Sequence, residues 1–383
     1  MKVIQVTERY PPAVGGVETH VFRLSQELRK LGVDVEILTT DLHSTLPLVR
    51  FQNSEKTVGG APVVRVRGYP FLPLPQGLGV ISPGMLRYLK AADIVHVHGY
   101  GHFPTYLAQY CRISRLPVVA TTHSDAGRPS IGKSIFDAVV PPLSIKLARR
   151  VIAISEHEKR VLIERGVSPD KISVIPNGVD VEMLSSGDLQ KDSEGAKRLM
   201  YAGRIDDDQK GIDLLIEAFA RLAQSTPGLE LVLMGPDWNG STTRLKKLAS
   251  KIDVGKKVHF TDYLKREEYL QNLRSADLFV LPSRFEPFGI VLLEAMSAGV
   301  PIVASNTGAI PEILGGGRFG LLFQSGNVSS LAHAIEAALF DKEGSSTRAR
   351  DARESLKRFA WPKIASETLR IYEDVLGRPV SRF

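Results

Sequence analysis

The feature that most constrains the fold is a regular alternation of short apolar runs with segments of helical periodicity. The strand-like runs of the first half are KVIQVT (2–7), VDVEILT (33–39), VVRV (63–66), DIVHVH (93–98), VVATTH (118–123), VIAIS (151–155) and ISVIP (172–176). The clearest helical segment has apolar residues three or four positions apart, at Val17, Val21, Leu24, Leu28 and Leu31. This β-α-β order predicts a parallel sheet that is covered on both faces.

The same alternation starts again after a polar stretch at 183–197. The strand-like runs there are LMYAG (199–203), ELVLMG (230–235), VHFTDY (258–263), LFVLPS (278–283) and PIVAS (301–305). A chain of 383 residues, 43% of them hydrophobic, is large enough for two cores. The sequence therefore predicts an α/β protein with two doubly wound domains that are joined near 178–197.

Composition excludes several classes of protein. The start MKVIQV has no basic region or cleavage site, and no run of 18 apolar residues follows, so neither secretion nor a membrane span is expected. Cys111 is the one cysteine, which excludes an intramolecular disulfide and a thiolate metal cluster. A reducing cytoplasm is the expected location.

The net charge of +7 is unevenly distributed along the chain. Residues 1–178 contain 22 Lys and Arg against 14 Asp and Glu, whereas 179–383 contain 27 against 28. The excess predicts either an anionic partner for the first half or an ordinary solvated surface. Nucleic acid is not expected as a partner, because there is no basic patch interleaved with aromatic residues, no zinc-ligand spacing and no helix-turn-helix signal.

Candidate ligand-binding residues follow the predicted strands, because open α/β sheets bind ligands beyond the carboxyl ends of their strands. Gly15 and Gly16 precede a helix, where backbone N–H groups and the helix dipole favour an anion, although a plain tight turn is the alternative. Arg204 and Lys210 flank a second such loop and suit a diphosphate. The three carboxylates between them, at 206–208, are predicted to face mainly solvent.

The stretch RFEPFGIVLLEAMSAG (284–299) places two carboxylates in an apolar environment. A helix is predicted over 290–299, with Glu286 just before it and Glu294 in its second turn. Both side chains can reach a ligand at the helix N-terminus and accept hydrogen bonds from hydroxyls, which are the groups that sugars offer. The alternative, a cap and an unrelated charge, would leave Glu294 among Leu and Met side chains at a cost unless it is paired.

Together these motifs resemble the retaining glycosyltransferases of family 4, which have the GT-B fold of two Rossmann-like domains facing a central cleft. The resemblance covers essentially the whole chain. It rests on motifs in the following order: P-x-x-GG near the N-terminus, HVHG (96–99), THSD (122–125), AISE (153–156), IPNGVD (175–180), the GR…KG loop, the run from Glu286 to Glu294 and the terminal WPKIASETLRIYEDVL. It implies an acceptor-binding domain at 1–178, a nucleotide-sugar-binding domain at 179–360 and a segment 361–383 that returns to the first domain.

The resemblance also implies roles for individual residues. The implied donor-binding residues are Gly15, Gly16, Arg204, Lys210, Glu294 and the backbone N–H groups of Phe288, Gly289 and Ile290. The implied catalytic residues are Glu286, which holds hydroxyls of the transferred sugar, and His123, which contacts that sugar. His98 is a minor candidate, and His96 is interpreted as a structural residue. Asp125 departs from the family's usual His-Asp pairing, so it is given no role.

The activity implied is retaining transfer of a sugar from a UDP- or GDP-sugar to a hydroxyl of a glycan or lipid-linked acceptor. No cofactor and no metal site are expected, since two cations replace the divalent ion. A nucleotide-sugar epimerase or hydrolase of the same fold and a non-enzymatic nucleotide-sugar sensor are the alternatives. A dehydrogenase is disfavoured because no strand is followed by GxGxxG.

Two stretches of the basic half suggest a further partner. Residues 69–85 combine Pro, Gly and aliphatic residues, and 131–150 mix apolar residues with Lys133, Lys146, Arg149 and Arg150. We hypothesise a peripheral contact with an anionic membrane, at the inner face of the membrane, through which a lipid-linked acceptor is reached. The alternative is an ordinary loop and a buried helix whose charges pair locally.

Overall fold

A computed structural model describes residues 1–13, 15–45, 48–51, 57–74, 77–99, 107, 110–123, 145–180, 197–238, 240–262 and 264–378. The chain divides into two compact units. Unit 1 consists of Met1–Gly178 and Trp361–Phe383, and unit 2 of Val179–Ala360.

The described strands are β1 (Lys2–Thr7), β2 (Asp34–Thr40), β3 (Leu42–Thr45), β4 (Leu48–Arg50), β5 (Thr57–Val58), β6 (Ala61–Val66), β7 (Tyr69–Leu74), β8 (Gly77–Ile81), β9 (Ile94–His98), β10 (Val118–Thr121), β11 (Arg150–Ala153), β12 (Ile172–Val174), β13 (Arg198–Ala202), β14 (Glu230–Met234), β15 (Val258–Thr261), β16 (Leu278–Leu281), β17 (Ile302–Ser305) and β18 (Leu321–Phe323).

The described helices are α1 (Gly16–Lys30), α2 (Leu86–Leu89), α3 (Glu156–Glu164), α4 (Ile212–Ser225), α5 (Ser241–Lys251), α6 (Arg266–Arg274), α7 (Ile290–Ser297), α8 (Ile310–Ile313), α9 (Val328–Phe340), α10 (Lys342–Ser355) and α11 (Trp361–Val375).

In unit 1 the main sheet has the strand order β12-β11-β10-β9-β1-β2-β6-β5 among the described residues. Its neighbouring strands are parallel, except that β5 pairs antiparallel with β6. Along β1, Val3 packs into one hydrophobic cluster, with α1 and α11, while Ile4 and Val6 pack into a second. The sheet is therefore buried on both faces, which confirms the doubly wound prediction for this half.

The stretch 69–85, whose alternative interpretation was an ordinary loop, contains paired strands. β7 and β8 form an antiparallel hairpin in which Tyr69 pairs with Ile81 and Leu74 with Gly77. The other stretch proposed for a membrane contact lies largely outside the described residues, at 131–144. Among the described residues, no helix is both long and apolar enough to cross a bilayer.

In unit 2 the sheet order is β15-β14-β13-β16-β17-β18, and all its pairings are parallel. The strand β18 was not predicted, because its three residues, LLF, are too short to show a period. The strand order reverses between β13 and β16. In open parallel sheets the loops at such a point form a crevice in which ligands bind.

Candidate functional site

Two predicted site residues of unit 2 meet where the strand order reverses. Lys210 follows β13, Glu286 follows β16, and the lysine Nζ donates to Glu286 Oε2 at 2.7 Å. The Ser283 hydroxyl donates to the same carboxylate oxygen at 2.9 Å. The side chains of Lys210 and Glu286 are only 15% and 8% exposed, so they form a largely desolvated ion pair at the sheet edge.

Glycines allow the surrounding loops to approach closely. Gly211 has a φ of +63°, and a Cβ there would lie 2.4 Å from the Pro282 carbonyl oxygen. Gly308 has a φ of +55°, and a Cβ there would lie 1.9 Å from the carbonyl oxygen of Glu286. The Lys-Gly sequence therefore fixes the position of Lys210 against the loop that carries Glu286.

Arg204, in the same loop after β13, has one guanidinium N–H that no side chain or backbone group of the described residues uses. Its guanidinium carbon lies 4.5 Å from the ring centroid of Trp238, and its Nη2 donates to Gln209 Oε1 at 2.6 Å and to Asp206 Oδ2 at 3.2 Å. Its Nε is buried and has no hydrogen-bond partner among the described residues. A buried guanidinium N–H without a partner is costly and suits an anionic ligand.

The prediction that the three carboxylates at 206–208 face mainly solvent is wrong for Asp206. Its side chain is buried, and Oδ1 accepts from the backbone N–H groups of Asp208 and Gln209, each at 3.1 Å. Asp207 pairs with Arg244, which holds the pKa of that carboxyl at about 2. Asp206 thus organises the loop between Arg204 and Lys210, because it provides acceptors for N–H groups within the turn.

Glu294 is not stranded among apolar residues, since two side chains of α6 bind it. Arg266 Nη1 donates to Oε1 at 2.6 Å, and the Tyr269 hydroxyl donates to Oε2 at 2.5 Å. Burial, together with the carboxylate, raises the pKa of Tyr269 well above its ordinary value, so the phenol stays a donor. Each carboxylate oxygen keeps a further lone pair for a hydroxyl ligand.

The turn before α7 ends at a glycine that caps the helix. Gly289 caps the helix in the left-handed region with a φ of +91°, and Ile290 is the first helical residue. Donors in the first turn of a helix generally lack partners within the helix. The side chain of Phe288 is buried and packs against Phe359, with ring centroids 6.2 Å apart, so any part Phe288 plays in binding lies in its backbone.

In unit 1, Gly15 is the N-cap of α1 with an extended backbone, Gly16 is the first helical residue, and neither lies in the left-handed region. The reason for glycine at position 15 is space, because a Cβ there would lie 2.1 Å from Oε2 of Glu18. Glu18 is itself buried and accepts from Arg9 at 2.9 Å. Close packing at the start of the helix thus explains the glycine at position 15, whereas Gly16 is exposed at the first helical position.

His123 follows β10 with a φ of +52°, a strained conformation for a residue that is not glycine. Its Nε2 lies 3.0 Å from Nδ1 of His98, whose own Nε2 hydrogen-bonds Gln5 Oε1. Because Gln5 Oε1 can only accept, His98 carries its proton on Nε2 and accepts at Nδ1 from His123. The histidine predicted to be catalytic is therefore held by the minor candidate beside it.

His96 is a structural residue, as predicted. Its Nδ1 accepts from the Tyr372 hydroxyl at 2.6 Å, and its Nε2 donates to Thr121 Oγ1 at 2.7 Å. Gln5 Nε2 donates to the same tyrosine oxygen at 3.2 Å, so the hydrogen bonds of His96 and His98 form one chain.

Burial makes this group of histidines poor bases. It lowers the pKa of His20 to about 4, although the nearby Asn177 side chain offsets part of the effect, and that of His96 to about 3. The pKa values of His98 and His123 also lie well below the ordinary value, through burial and through the neighbouring imidazoles. All four rings are neutral at pH 7, so they act as hydrogen-bonding groups and ligands rather than as cations.

Sequence reasoning missed several residues of these sites. Ser283, Arg266 and Tyr269 bind the two predicted glutamates, while Gln5 and His20 belong to the histidine group. They are scattered between residues 5 and 283, and no single motif contains them. Asp125, for which no role was predicted, lies outside the described residues.

Comparison with known proteins identifies the family. The family described as "Glycosyltransferase Family 4" matches residues 14–183, and the one described as "Glycosyl transferases group 1" matches 189–357. A glycogen synthase of Mycobacterium tuberculosis is 31% identical over 402 residues, covering 97% of this chain and 94% of that protein. The chain is a group 1 glycosyltransferase of family 4. The family expected from the motifs is confirmed.

Other relatives of this glycosyltransferase are named for different activities. A GDP-mannose:cellobiosyl-diphosphopolyprenol alpha-mannosyltransferase of Xanthomonas oryzae is 28% identical, covering 99% of this chain and 98% of that protein. A phosphatidyl-myo-inositol mannosyltransferase of Mycobacterium leprae is 29% identical, covering 94% and 93%.

Solved structures support the GT-B fold. The sucrose-phosphate synthase of Thermosynechococcus elongatus aligns with a TM-score of 0.78 at 21% identity, covering 98% of this chain and 99% of that one. HepE of Anabaena in complex with UDP and glucose aligns with a TM-score of 0.76 at 22% identity, covering 98% and 100%. The predicted fold class of two Rossmann-like α/β domains is confirmed.

Proposed function

We propose that this glycosyltransferase moves a sugar from a UDP- or GDP-sugar to a hydroxyl of a glycan or lipid-linked acceptor, with retention at the anomeric carbon and without a metal. The observation that carries the proposal is the group of Arg204, Lys210 and Glu286 at the ligand-binding edge of the sheet in unit 2. Two cations and a carboxylate there match the diphosphate and the hydroxyls of a nucleotide sugar.

Arg204 and Lys210 bind the diphosphate in this proposal. The unpartnered Nε of Arg204 donates to a phosphate oxygen, and Lys210 shares its ammonium between phosphate and Glu286. The N–H groups near Phe288, Gly289 and Ile290 bind the same anion, as helix N-termini commonly do.

The two glutamates recognise hydroxyl groups in this proposal. Glu286 accepts from the transferred sugar, and Glu294 accepts from the ribose with the lone pairs that Arg266 and Tyr269 leave free. In unit 1, Gly15 and Gly16 approach the donor phosphate and the acceptor, and His123 contacts the donor sugar.

The chemistry required of these residues is electrostatic. As the bond between the anomeric carbon and the diphosphate breaks, Arg204, Lys210 and the α7 N-terminus stabilise the negative charge that develops on the leaving group. The departing phosphate oxygen takes the proton of the acceptor hydroxyl, and that hydroxyl attacks the face from which the diphosphate leaves. Because the cations supply the positive charge, no divalent ion is needed.

The names of the relatives support the choice of substrates. Two of the mannosyltransferases are named for lipid-linked substrates, a diphosphopolyprenol and phosphatidyl-myo-inositol, and one for GDP-mannose. The HepE structures hold UDP, in one case with glucose. Both nucleotide classes and both acceptor classes therefore belong in the first substrate screen.

The test is a panel of UDP- and GDP-sugars, each incubated with and without glycan or polyprenyl-linked acceptors, with product detected by mass spectrometry. Transfer that depends on acceptor, continues in EDTA and gives an anomer with the donor's configuration by NMR supports the proposal. Nucleotide release without acceptor indicates a hydrolase, an isomerised donor indicates an epimerase, and binding without turnover indicates a sensor. Inactivation by EDTA that magnesium or manganese reverses would overturn metal independence.

A further inference from the structure

Three histidines of unit 1, including His123, are arranged in a way that the proposed contact between His123 and the donor sugar does not require. His20 on α1, His98 at the end of β9 and His123 after β10 each offer one ring nitrogen, and these three atoms lie within 4.8 Å of one another. The ring centroids of His20 and His123 are 4.5 Å apart, and those of His98 and His123 are 5.3 Å apart. Three imidazoles from three separate elements thus converge on one point.

His20 is buried beside Asn177, whose side chain is a hydrogen-bonding neighbour of its ring. Neither His20 Nδ1 nor Asn177 Oδ1 has another partner among the described residues, so the amide oxygen serves a ring N–H of His20. That leaves the other ring nitrogen of His20 for a ligand, as in metal-bound histidines that an outer-shell oxygen orients.

The hydrogen bonds of His98 have the arrangement found around metal-bound histidines. Such a histidine usually donates its remaining ring N–H to an oxygen acceptor, which fixes the ring and its tautomer. His98 donates its Nε2 proton to Gln5 Oε1, which leaves Nδ1 as a lone pair directed at His123. Gln5 is in turn held by Tyr372.

We propose that His20, His98 and His123 form a binding site for a divalent first-row transition metal, with Zn²⁺ as the expected occupant. Neutral imidazole nitrogens suit zinc, copper and nickel rather than magnesium or calcium. Three atoms within 4.8 Å of one another lie at most about 2.8 Å from a common centre, so shifts below about 1 Å give zinc-nitrogen distances near 2.0–2.1 Å.

Binding replaces the hydrogen bond between His98 and His123. The His123 proton moves from Nε2 to Nδ1, so all three rings coordinate as neutral ligands and no proton is released or taken up. His123 is only partly buried, which gives the ion a route from solvent and leaves a coordination position for water. Since the proposed function assigns His123 to the donor sugar, an ion at this site inhibits transfer. That consequence rests on the proposed function, whereas the binding itself does not.

Isothermal titration of the EDTA-treated, full-length protein with ZnCl₂ tests the site. We expect one equivalent to bind with a Kd at or below about 10 µM. His20→Gln should weaken binding by at least about 100-fold and Gln5→Met by about 10–100-fold, because a ligand and its outer-shell support are removed. His333→Gln, which removes an exposed histidine of unit 2, is the matched control and should bind zinc as the wild type does.

Absence of stoichiometric zinc binding by the wild type would overturn the proposal, as would equal affinities of His20→Gln and His333→Gln. If His20→Gln does not fold, as judged by circular dichroism, Co²⁺ added to the wild type decides the matter. Intense visible absorption from tetrahedral Co²⁺ supports the three-histidine site, and the weak spectrum of octahedral Co²⁺ contradicts it. Binding of zinc without any change in transferase activity would retain the site and refute the assignment of His123 to the sugar.

Discussion

The buried ion pair between Lys210 and Glu286 allows a prediction about the free energy of unfolding that does not depend on any substrate. We consider Lys210→Met, Glu286→Gln and the double variant, all close in shape to the wild type. The lysine substitution leaves a carboxylate that is 8% exposed and that still accepts a hydrogen bond from the Ser283 hydroxyl. Removing one member of a buried pair costs about 3–5 kcal/mol, because the remaining charge stays desolvated.

The glutamine substitution should cost less, about 1–3 kcal/mol, because the Lys210 ammonium is on a flexible side chain and can move toward solvent. In the double variant no charge is left without a partner, so its loss should be smaller than the sum of the two single losses by about 2 kcal/mol or more. For a unit of this size, a loss of 3–5 kcal/mol lowers the melting temperature by about 6–20 °C.

Urea unfolding followed by tryptophan fluorescence, to which Trp238 of unit 2 and Trp361 of unit 1 both contribute, measures these differences, with thermal melting as a second method. Lys247→Met, which alters an exposed lysine of α5, serves as the control. A Lys210→Met midpoint equal to the wild type, together with zero coupling in the double variant, would show that the pair is open in solution. The geometry inferred for the donor site would then be wrong.

The same variants test the chemistry. Lys210→Ala and Glu286→Ala should each remain folded but lose transfer by about 100-fold or more, because each removes a charged group aimed at the donor. Near-normal turnover by either variant would refute the role assigned to that residue. Because the pair is buried, a lowered melting temperature is expected alongside the loss of activity.

Three further predictions follow from individual side chains. Burial raises the pKa of Glu8 to about 7, so the folded protein keeps a proton that the unfolded chain releases near pH 4.5. The free energy of unfolding should therefore fall by up to about 3 kcal/mol as the pH rises from 4.5 to 7, and urea unfolding of Glu8→Gln should not show this pH dependence. Tyr269→Phe removes one of the hydrogen bonds to Glu294, so calorimetry should show that UDP or GDP binds about 5–10-fold more weakly. Unchanged binding of both nucleotides would contradict the proposal that Glu294 binds the ribose. In vesicle flotation, the protein should bind anionic but not neutral vesicles, and this binding should weaken with salt and by about 1 kcal/mol for each of Arg149 and Arg150 that is replaced. Arg149 should contribute more, because Arg150 already pairs with Asp374, and failure to bind either vesicle type would indicate a soluble acceptor.

Local patterns in the sequence predicted the framework of this protein. The alternating periods located the strands from β1 through β17 that build the two main sheets, except the short β5, because a strand or helix covered by a core repeats its apolar residues at a fixed spacing. The strand-to-helix loops then indicated where to look for ligands. Lys210 and Glu286 were selected separately from two such loops, 76 residues apart, and in the structure they share a hydrogen bond.

The order of the motifs along the chain was enough to identify the family and hence the fold class. What the sequence could not show was which distant side chains would hold the selected ones. The partners of Glu294 lie on α6, one turn apart from each other but more than 20 residues before it, with no motif to connect them. Asp206 was expected at the surface because acidic loop residues usually are, yet it turns inward to bind backbone N–H groups.

The histidines show most clearly which features the sequence predicted and which depended on the tertiary structure. The THSD motif identified His123 as a candidate, and the end of a predicted strand identified His98. Nothing in the sequence near either residue indicated His20 on α1. Adjacent parallel strands place their carboxyl ends at one edge of the sheet, and the helix after β1 starts at that same edge. The sequence determined which residues end the strands and begin the helix. Only the strand order β10-β9-β1, which depends on pairing between distant segments, decided that their imidazoles would meet.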